Sequence, residues 1–457
     1  MKHYNVIVIG SGSGMNIVEE ALAHELKVAL VDKGPLGGTC PNTGCIPSKI
    51  LIYTADRIVD IQEDARFGIQ AEIKNINFPA VMNRMREFLR TNGEQMRKNI
   101  SALKDFDFYE SEGHFIDDYT VEVGSKQIKA EKIFIAAGSR PFIPPIKGLE
   151  TVPYLTNETA LEITKRPESL LIIGGGYIAV EYGHFFAAMG TRVTILEMAD
   201  RLVLAEEPEI SAMLKNGLSK RMAVYTGVRA EEVKKNAGGV TVIVSDAASG
   251  SKKEFTAQKL LVAVGRVSNA DRLNLDKAGI GVDKRGFIEV NEFLETAREN
   301  IYAVGDVIGR QMFTHAANME SSVAGDNGIY GNSMKMDYSA TPHAVYSHPQ
   351  IAAVGMTEAA ARKTGRKILV GRARYAEVAQ GEAMLEQDSF AKAIVDAKTK
   401  KLIGFHIIGP FAPLIIQEVV NNMVSGRKFG HIGQAMHIHP AITELVLKAL
   451  SSLEETP

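Results

Sequence analysis

The chain has 457 residues, room for two to four domains at roughly 100–200 residues each. Its 52 Lys+Arg balance 54 Asp+Glu to a net charge of −2, which leaves no basic footprint for nucleic acid or an anionic membrane surface. Hydrophobic residues at 45%, charged residues at 23%, and no apolar run near the roughly 18–20 residues that span a bilayer predict a soluble, cytoplasmic protein without a secretory signal.

The first predicted element is the apolar run Val6–Ile9, a strand of buried, parallel type. It meets the turn Gly10-Ser11-Gly12-Ser13-Gly14, a helix patterned through Ile17, Ala21 and Leu22, and a second strand, Val28–Val31, that ends at Asp32. Asp32 lies 22 residues after Gly10. A second unit repeats the pattern: strand Leu170–Ile173, turn Gly174-Gly175-Gly176, a helix through Ile178, Phe185 and Ala188, and strand Val193–Leu196 ending at Glu197. Glu197 follows Gly174 by 23 residues. Each unit is a strand–turn–helix–strand fingerprint for a dinucleotide: glycines for the tight turn and close backbone approach, a helix N-terminus for phosphate, an acid for the adenosine ribose. One such turn is a weak signal, but two complete copies, each with its acid, predict two bound dinucleotides. The third fingerprint position should be small. It is Ala179 in the second unit but Met15 in the first, which predicts that the first helix stands off its strand or that Met15 enters a gap.

Between the units lie the only two cysteines, in Gly37-Gly38-Thr39-Cys40-Pro41-Asn42-Thr43-Gly44-Cys45-Ile46-Pro47-Ser48-Lys49. Two cysteines cannot build a structural disulfide framework. A close pair in so cysteine-poor a chain points to redox or metal chemistry. Zinc needs four ligands, and no histidine or further cysteine is near, so no metal is expected. Further apolar segments close on glycine or a carboxylate at Ile133–Pro141, Leu260–Arg266 and Ile301–Asp306. Beyond about residue 337 the fingerprints stop, and a strand at Leu402–Ile408 and a helix at Ala412–Met423 predict a separate C-terminal domain. Two histidines, His437 and His439, flank Ile438 near the end, and either could serve as a base or be structural.

Taken in order, Gly10–Gly14, Gly37–Lys49, Ala136–Pro141, Gly174–Glu181, Gly265–Arg266, Tyr302–Asp306 and His439-Pro440 with Glu444 resemble the FAD-dependent pyridine nucleotide–disulfide oxidoreductases over nearly the whole chain. The resemblance implies an α/β protein with two Rossmann-like dinucleotide-binding domains and a C-terminal α+β dimerisation domain. The implied boundaries are 1–148 and 277–336 for a discontinuous FAD domain, 149–276 for a nicotinamide domain and 337–457 for the dimerisation domain. FAD would meet Gly10, Gly12, Gly14, Asp32, Lys33, Gly38, Thr39, Ala137, Gly138 and Asp306. NAD would meet Gly174, Gly176, Tyr177, Ile178, Ala179, Glu197 and Gly265.

The same resemblance assigns a redox-active disulfide to the two cysteines, with Cys45 facing the flavin and Cys40 exchanging with substrate. On a straight helix five residues rise about 7.5 Å, too far for easy bridging. Pro41 and Gly44 would let the turn deform into a strained, readily reduced bond. Lys49 resembles the lysine beside the flavin, paired with Glu181, and Tyr177 the residue that covers the flavin until nicotinamide arrives. His439, oriented by Glu444, resembles the catalytic base, which in the family reaches across a homodimer to the other subunit's cysteines.

Two cysteines exclude the branches that use an additional C-terminal redox pair, such as mercuric and large thioredoxin reductases. Branches with a single active cysteine lack the pair found here. Glu197 suits a ribose hydroxyl and repels a 2′-phosphate, favouring NADH over NADPH although Arg201 is near. That preference points to the dihydrolipoamide dehydrogenase branch and a lipoyl or other small dithiol substrate. Met15, Tyr53–Asp56, Tyr375–Met384 and His439-Pro440-Ala441 look more like mycothione reductases. A non-catalytic flavoprotein subunit is the third reading, and the retained Cys40, Cys45, Lys49, Glu181, His439 and Glu444 argue against it.

Overall fold

The computed structural model describes residues 1–455. The first glycine-rich unit opens a mixed sheet whose strands are β1 (Lys2–Ile9), β2 (Val28–Asp32), β3 (Phe106–Glu110), β4 (Gly113–Asp117), β5 (Thr120–Val123) and β6 (Lys126–Ile135). Their order is β3-β2-β1-β6-β5-β4, and the strand Ile301–Ala303 also pairs with β6. β1 runs parallel to β2 and β6 and is nearly solvent-free from Val6 to Ile9, as a continuous apolar strand with both faces covered must be. The second unit builds a four-stranded parallel sheet, in the order 223–226, 192–197, 169–173 and 259–262. A three-stranded antiparallel sheet (228–236, 239–246, 252–257) packs its valines on one face of it. Residues 342–455 supply a six-stranded antiparallel sheet, with the helices Ala412–Val424 and Glu444–Ser451 packed against it. Strand Leu402–Ile408 has the predicted bounds, and the helix after it runs one residue longer than expected.

Seven helices position the chemistry: α1 (Gly14–Ala23), α2 (Thr39–Thr43), α3 (Cys45–Glu63), α4 (Phe78–Ser101), α5 (Tyr177–Ala188), α6 (Pro208–Ser219) and α7 (Thr314–Tyr330). The repeat extends to single contacts. Gly10 has φ +108° and a Cβ there would lie 2.2 Å from the Ala136 carbonyl oxygen; Gly174 has φ +114° and the same clash, 2.2 Å, with Ala263. Only glycine tolerates either position. The close helix–strand approach of the first unit falls at Gly14, where a Cβ would sit 2.8 Å from Val8. Met15 is half-buried against the core beside it, so the helix does not stand off and the larger residue is accommodated one position along.

One hydrophobic cluster joins the parts that matter for function. Leu51, Ala55 and Ile58 of α3 pack with Val180, Tyr182 and Phe185 of α5 and with Val345, Ile351 and Ile408 of the third sheet. The cysteine-bearing helix and the second nucleotide helix therefore share one core. Among the described residues no helix is long and apolar enough to cross a membrane.

Candidate active site

The segment between the cysteines is not one deformed helix. It is two, broken at Gly44 (φ −124°, ψ −114°), where a Cβ would come within 3.0 Å of the Thr39 carbonyl oxygen. Cys40 lies in α2, and Cys45 is the first residue of α3. The loop before them is tied by Asn42, whose Nδ2 donates to the carbonyls of Leu36 and Gly38, both at 2.8 Å. The two cysteines are unbonded in the structure, with Cys45 exposed and Cys40 half-buried.

Hydrogen bonding between the two sulfurs splits their acidities. A bond from the Cys40 thiol, with Thr314 and the charge of Lys49 acting in the same direction against burial, lowers Cys45 to about 6. That bond, and then burial, push Cys40 well above the usual thiol range. Thr314 Oγ1 lies 3.4 Å from Cys45 Sγ and is the first residue of α7, so two helix N-termini face the more acidic sulfur. Sequence reasoning did not single out Thr314, which belongs to none of the motifs and stands 269 residues from Cys45.

One turn along α3, Lys49 Nζ lies 2.8 Å from Glu181 Oε2 of α5 and 4.7 Å from the ring centre of Tyr346. The other Glu181 oxygen accepts the Tyr346 N–H at 2.9 Å. The predicted pair thus forms between α3 and α5 and is held by a third element. Tyr177, one turn before Glu181, donates its hydroxyl to Glu206 at 2.9 Å.

The remaining predicted residues line the two glycine turns. Asp32 ends β2 and accepts the N–H groups of Ser11 (2.6 Å) and Gly34 (2.7 Å), which leaves further lone pairs for a ribose. Lys33 is exposed and turned to Glu112 at 2.9 Å. Gly38 sits so close to Gly12 that a Cβ would meet its Cα at 2.8 Å, which brings Thr39 to the first turn. Gly138 (φ +67°) follows Ala137, and both carbonyls accept from Asn269. Asp306 Oδ2 accepts from Ser139 Oγ at 2.5 Å, with Arg266 Nε at 3.7 Å.

In the second unit Ala179 is fully buried, Ile178 packs partly against the core, and Glu197 Oε1 accepts the Ala199 N–H at 2.6 Å. Arg201 donates to the Leu204 carbonyl at 3.0 Å. A Cβ on Gly138, Gly176 or Gly265 would touch nothing within 4 Å, and the N–H groups of Gly12, Ser13, Gly175 and Gly176 have no acceptor among the described residues. Bare backbone and free donors beside an acid, twice over, fit two dinucleotide pyrophosphates and their riboses.

The C-terminal histidines separate clearly. His437 is 10% exposed and held by Glu418 at 2.8 Å and by the Ala435 carbonyl at 3.0 Å. His439 is 71% exposed, and its Nδ1 lies 2.9 Å from Glu444 Oε1, which leaves Nε2 for other work. Glu444 also accepts the Ala441 N–H at 3.0 Å, and these bonds, His439 first, hold its carboxyl below the usual range. Among the described residues no hydrogen bond joins His439 to either cysteine.

Comparison with known proteins gives the same outline. Residues 4–321 match the pyridine nucleotide-disulphide oxidoreductase family, and 341–450 match its dimerisation domain. Mycothione reductase from Mycobacterium tuberculosis is 33% identical, over 99% of this chain and 100% of its own. Dihydrolipoyl dehydrogenase from Geobacillus stearothermophilus is 33% identical, over 99% of this chain and 96% of its own. Mercuric reductase from Lysinibacillus sphaericus is 32% identical, over 91% of this chain and 76% of its own. Among solved structures, the HOCl-induced flavoprotein disulfide reductase RclA from Escherichia coli superposes with a TM-score of 0.86 at 27% identity, covering 98% of this chain and 99% of that one.

Proposed function

The chain belongs to the pyridine nucleotide-disulphide oxidoreductase family, and from that premise we propose that it exchanges electrons between NADH and a small disulfide, with dihydrolipoamide and its disulfide as the preferred pair. The coarser statement needs no proposal: it is an FAD-dependent disulfide oxidoreductase that uses a pyridine nucleotide, and it carries a dimerisation domain. The observation that carries the disulfide chemistry is the unequal cysteine pair, with Cys45 Sγ beside Thr314 and Lys49 the more acidic sulfur and Cys40 held as a thiol, and the preference for NADH rests on Glu197.

Bound FAD would supply the two-electron relay between nicotinamide and the cysteine pair. The chain's residues do the rest. Cys40, kept protonated, needs a base before it can attack, and His439 of the partner subunit is assigned that role, its tautomer fixed by Glu444. The Cys40 thiolate attacks one sulfur of the substrate disulfide, which forms a mixed disulfide, and the leaving thiolate takes the proton from the imidazolium. The Cys45 thiolate then attacks Cys40 Sγ, which expels the second substrate sulfur as a thiolate that takes a proton from solvent, and the Cys40–Cys45 disulfide closes. Two electrons have passed to substrate, and NADH restores the dithiol. The exposed side of Cys45, bordered by Thr314 and Lys49, is the side we assign to the flavin.

Glu197, with one carboxylate oxygen free of backbone bonds, and Arg201, committed to the Leu204 carbonyl, support NADH over NADPH. Glu197→Ala should narrow the ratio of kcat/KM for NADH over NADPH by about tenfold, a loss of one hydrogen-bonded, charge-repelling group. The equal identity to mycothione reductase over the full chain favours, as a second reading, the reduction of a low-molecular-weight thiol disulfide.

The experiment is to give purified FAD-loaded dimer NADH or NADPH with lipoamide or mycothiol disulfide. Fast turnover of NADH with lipoamide, reversed by dihydrolipoamide plus NAD, is expected. Flavin reduction by NADH without lipoamide turnover would move the substrate to the second reading. NADH that bleaches the flavin without producing two titratable thiols would refute disulfide chemistry altogether.

A further inference from the structure

Glu206 holds two side chains that neither glycine-turn fingerprint requires. Its Oε1 accepts the Tyr177 hydroxyl at 2.9 Å and lies 2.6 Å from Nε2 of His343. The carboxylate is 1% exposed, and its second oxygen is buried with no protein partner. His343 comes from the strand Pro342–Val345 of the third sheet, and Phe313 immediately precedes α7. Their rings lie roughly parallel to and offset from that of Tyr177, at 5.7 Å and 19° for His343 and 6.0 Å and 25° for Phe313. His343 and Phe313 are themselves 5.5 Å apart and nearly parallel, at 8°. Tyr177 is therefore pinned at its hydroxyl by a carboxylate and on its ring by groups from two other elements.

The carboxylate end is itself anchored. Glu206 N–H donates to Val203, and the next residue, Glu207, pairs with the buried Lys392 at 2.8 Å and accepts the Glu358 N–H at 2.6 Å. A buried carboxylate is costly unless donors compensate it, so Glu206 keeps a strong hold on Tyr177 and His343. Tyr177 and Glu181 stand four residues apart on α5, on one face of that helix. The pinned ring and the Lys49–Glu181 pair thus border the same space.

We propose that Glu206 and His343 form a latch on the Tyr177 ring, so that nicotinamide enters only after the Tyr177–Glu206 hydrogen bond breaks. The inference rests on the reading of Tyr177 as the residue that covers the flavin, and it assigns to Glu206 and His343 a positioning role exerted through that tyrosine. A latch of this kind lowers the apparent affinity for nicotinamide by the fraction of molecules in which the ring stands open. Losing one hydrogen bond to a charged group should change that fraction by about ten- to a hundredfold.

The test is rapid mixing of FAD-loaded protein with NADH, together with the fluorescence lifetime of the bound flavin, which an adjacent tyrosine ring shortens. Tyr177→Phe removes only the hydroxyl, and Glu206→Gln removes the charge. Both are expected to lower the apparent Kd for NADH in the flavin-reduction step by about tenfold or more and to lengthen the lifetime. A purely structural role for Glu206 would weaken NADH binding instead. Unchanged Kd and lifetime in Tyr177→Phe overturn the latch, and this variant carries the test if Glu206→Gln does not fold. Tyr177→Ala separates the two ideas. If it too leaves lifetime and Kd unchanged, the covering role of Tyr177 has failed; if it alters both while Tyr177→Phe does not, only the latch has.

Discussion

The cysteine end and the histidine end of the site are built in opposite ways. Around Cys45 every partner is present within one chain: Cys40, Thr314 and Lys49, with Glu181 behind Lys49. They come from four helices, two of which, α3 and α5, share one apolar core. At the other end, His439 is 71% exposed and has a single partner, Glu444 on its own segment. A thiolate must be generated and protected, which takes burial and fixed charges. A base that serves another surface must be left uncovered and only oriented. On the proposed reading, one chain therefore holds the complete cysteine centre and leaves His439 open to serve the partner subunit.

The largest effect should come from breaking the complete end. Cys45→Ser is expected to abolish disulfide turnover and the long-wavelength charge-transfer absorption of the reduced protein while FAD stays bound, read by absorbance and flavin content. A surviving band would reverse the roles of the two cysteines. His439→Gln should lower disulfide turnover by about 10²–10⁴-fold and leave flavin reduction by NADH unchanged in rapid mixing, because only the proton-transfer half is lost.

The two variants also test the contrast directly. If each site takes its cysteines from one chain and its base from another, unfolding and refolding a one-to-one mixture of Cys45→Ser and His439→Gln chains gives heterodimers with one intact site. About a quarter of wild-type activity should return, since half the dimers are mixed and each has one site of two. No recovery, in a mixture shown to contain heterodimers, would place base and cysteines in the same chain.

Much of this arrangement was legible in the chain itself, for reasons that differ by residue. The two nucleotide units could be read because backbone geometry dictates their glycines: Gly10 and Gly174 stand against carbonyl oxygens where no side chain fits. The cysteine pair was readable because two cysteines in so long a chain are conspicuous. The helix break at Gly44 and the transfer of close packing from Met15 to Gly14 were not, since both depend on which neighbouring atom comes nearest. Glu206, His343 and Thr314 were also invisible. They are common polar residues in no motif, and they matter only because folding brings positions 137 and 269 residues apart into contact. Apart from the family resemblance, His437 and His439 were equivalent in sequence, and the structure separates them by burial.

The smallest effects should sharpen the account of the cysteine end, and there the sign of each shift can be derived. Cys45 titrates at about 6, so its thiolate is present above that pH and is lost as pH falls through it. The charge-transfer absorption should follow, with a midpoint near the same value. Thr314 lowers the Cys45 value by hydrogen bonding, so Thr314→Val should move the midpoint upward. Lys49 lowers it by charge, so Lys49→Met should also raise it, by about one pH unit for a partly exposed charge one helical turn away. Glu181 acts the other way, and Glu181→Gln should lower the midpoint twice over: it removes a negative charge and releases the Lys49 ammonium from its partner. Opposite displacements for Lys49→Met and Glu181→Gln would show that the fixed charges of this chain set the acidity of Cys45. Displacements of the same sign would mean that breaking the ion pair moves the helices, and that packing rather than charge governs the sulfur.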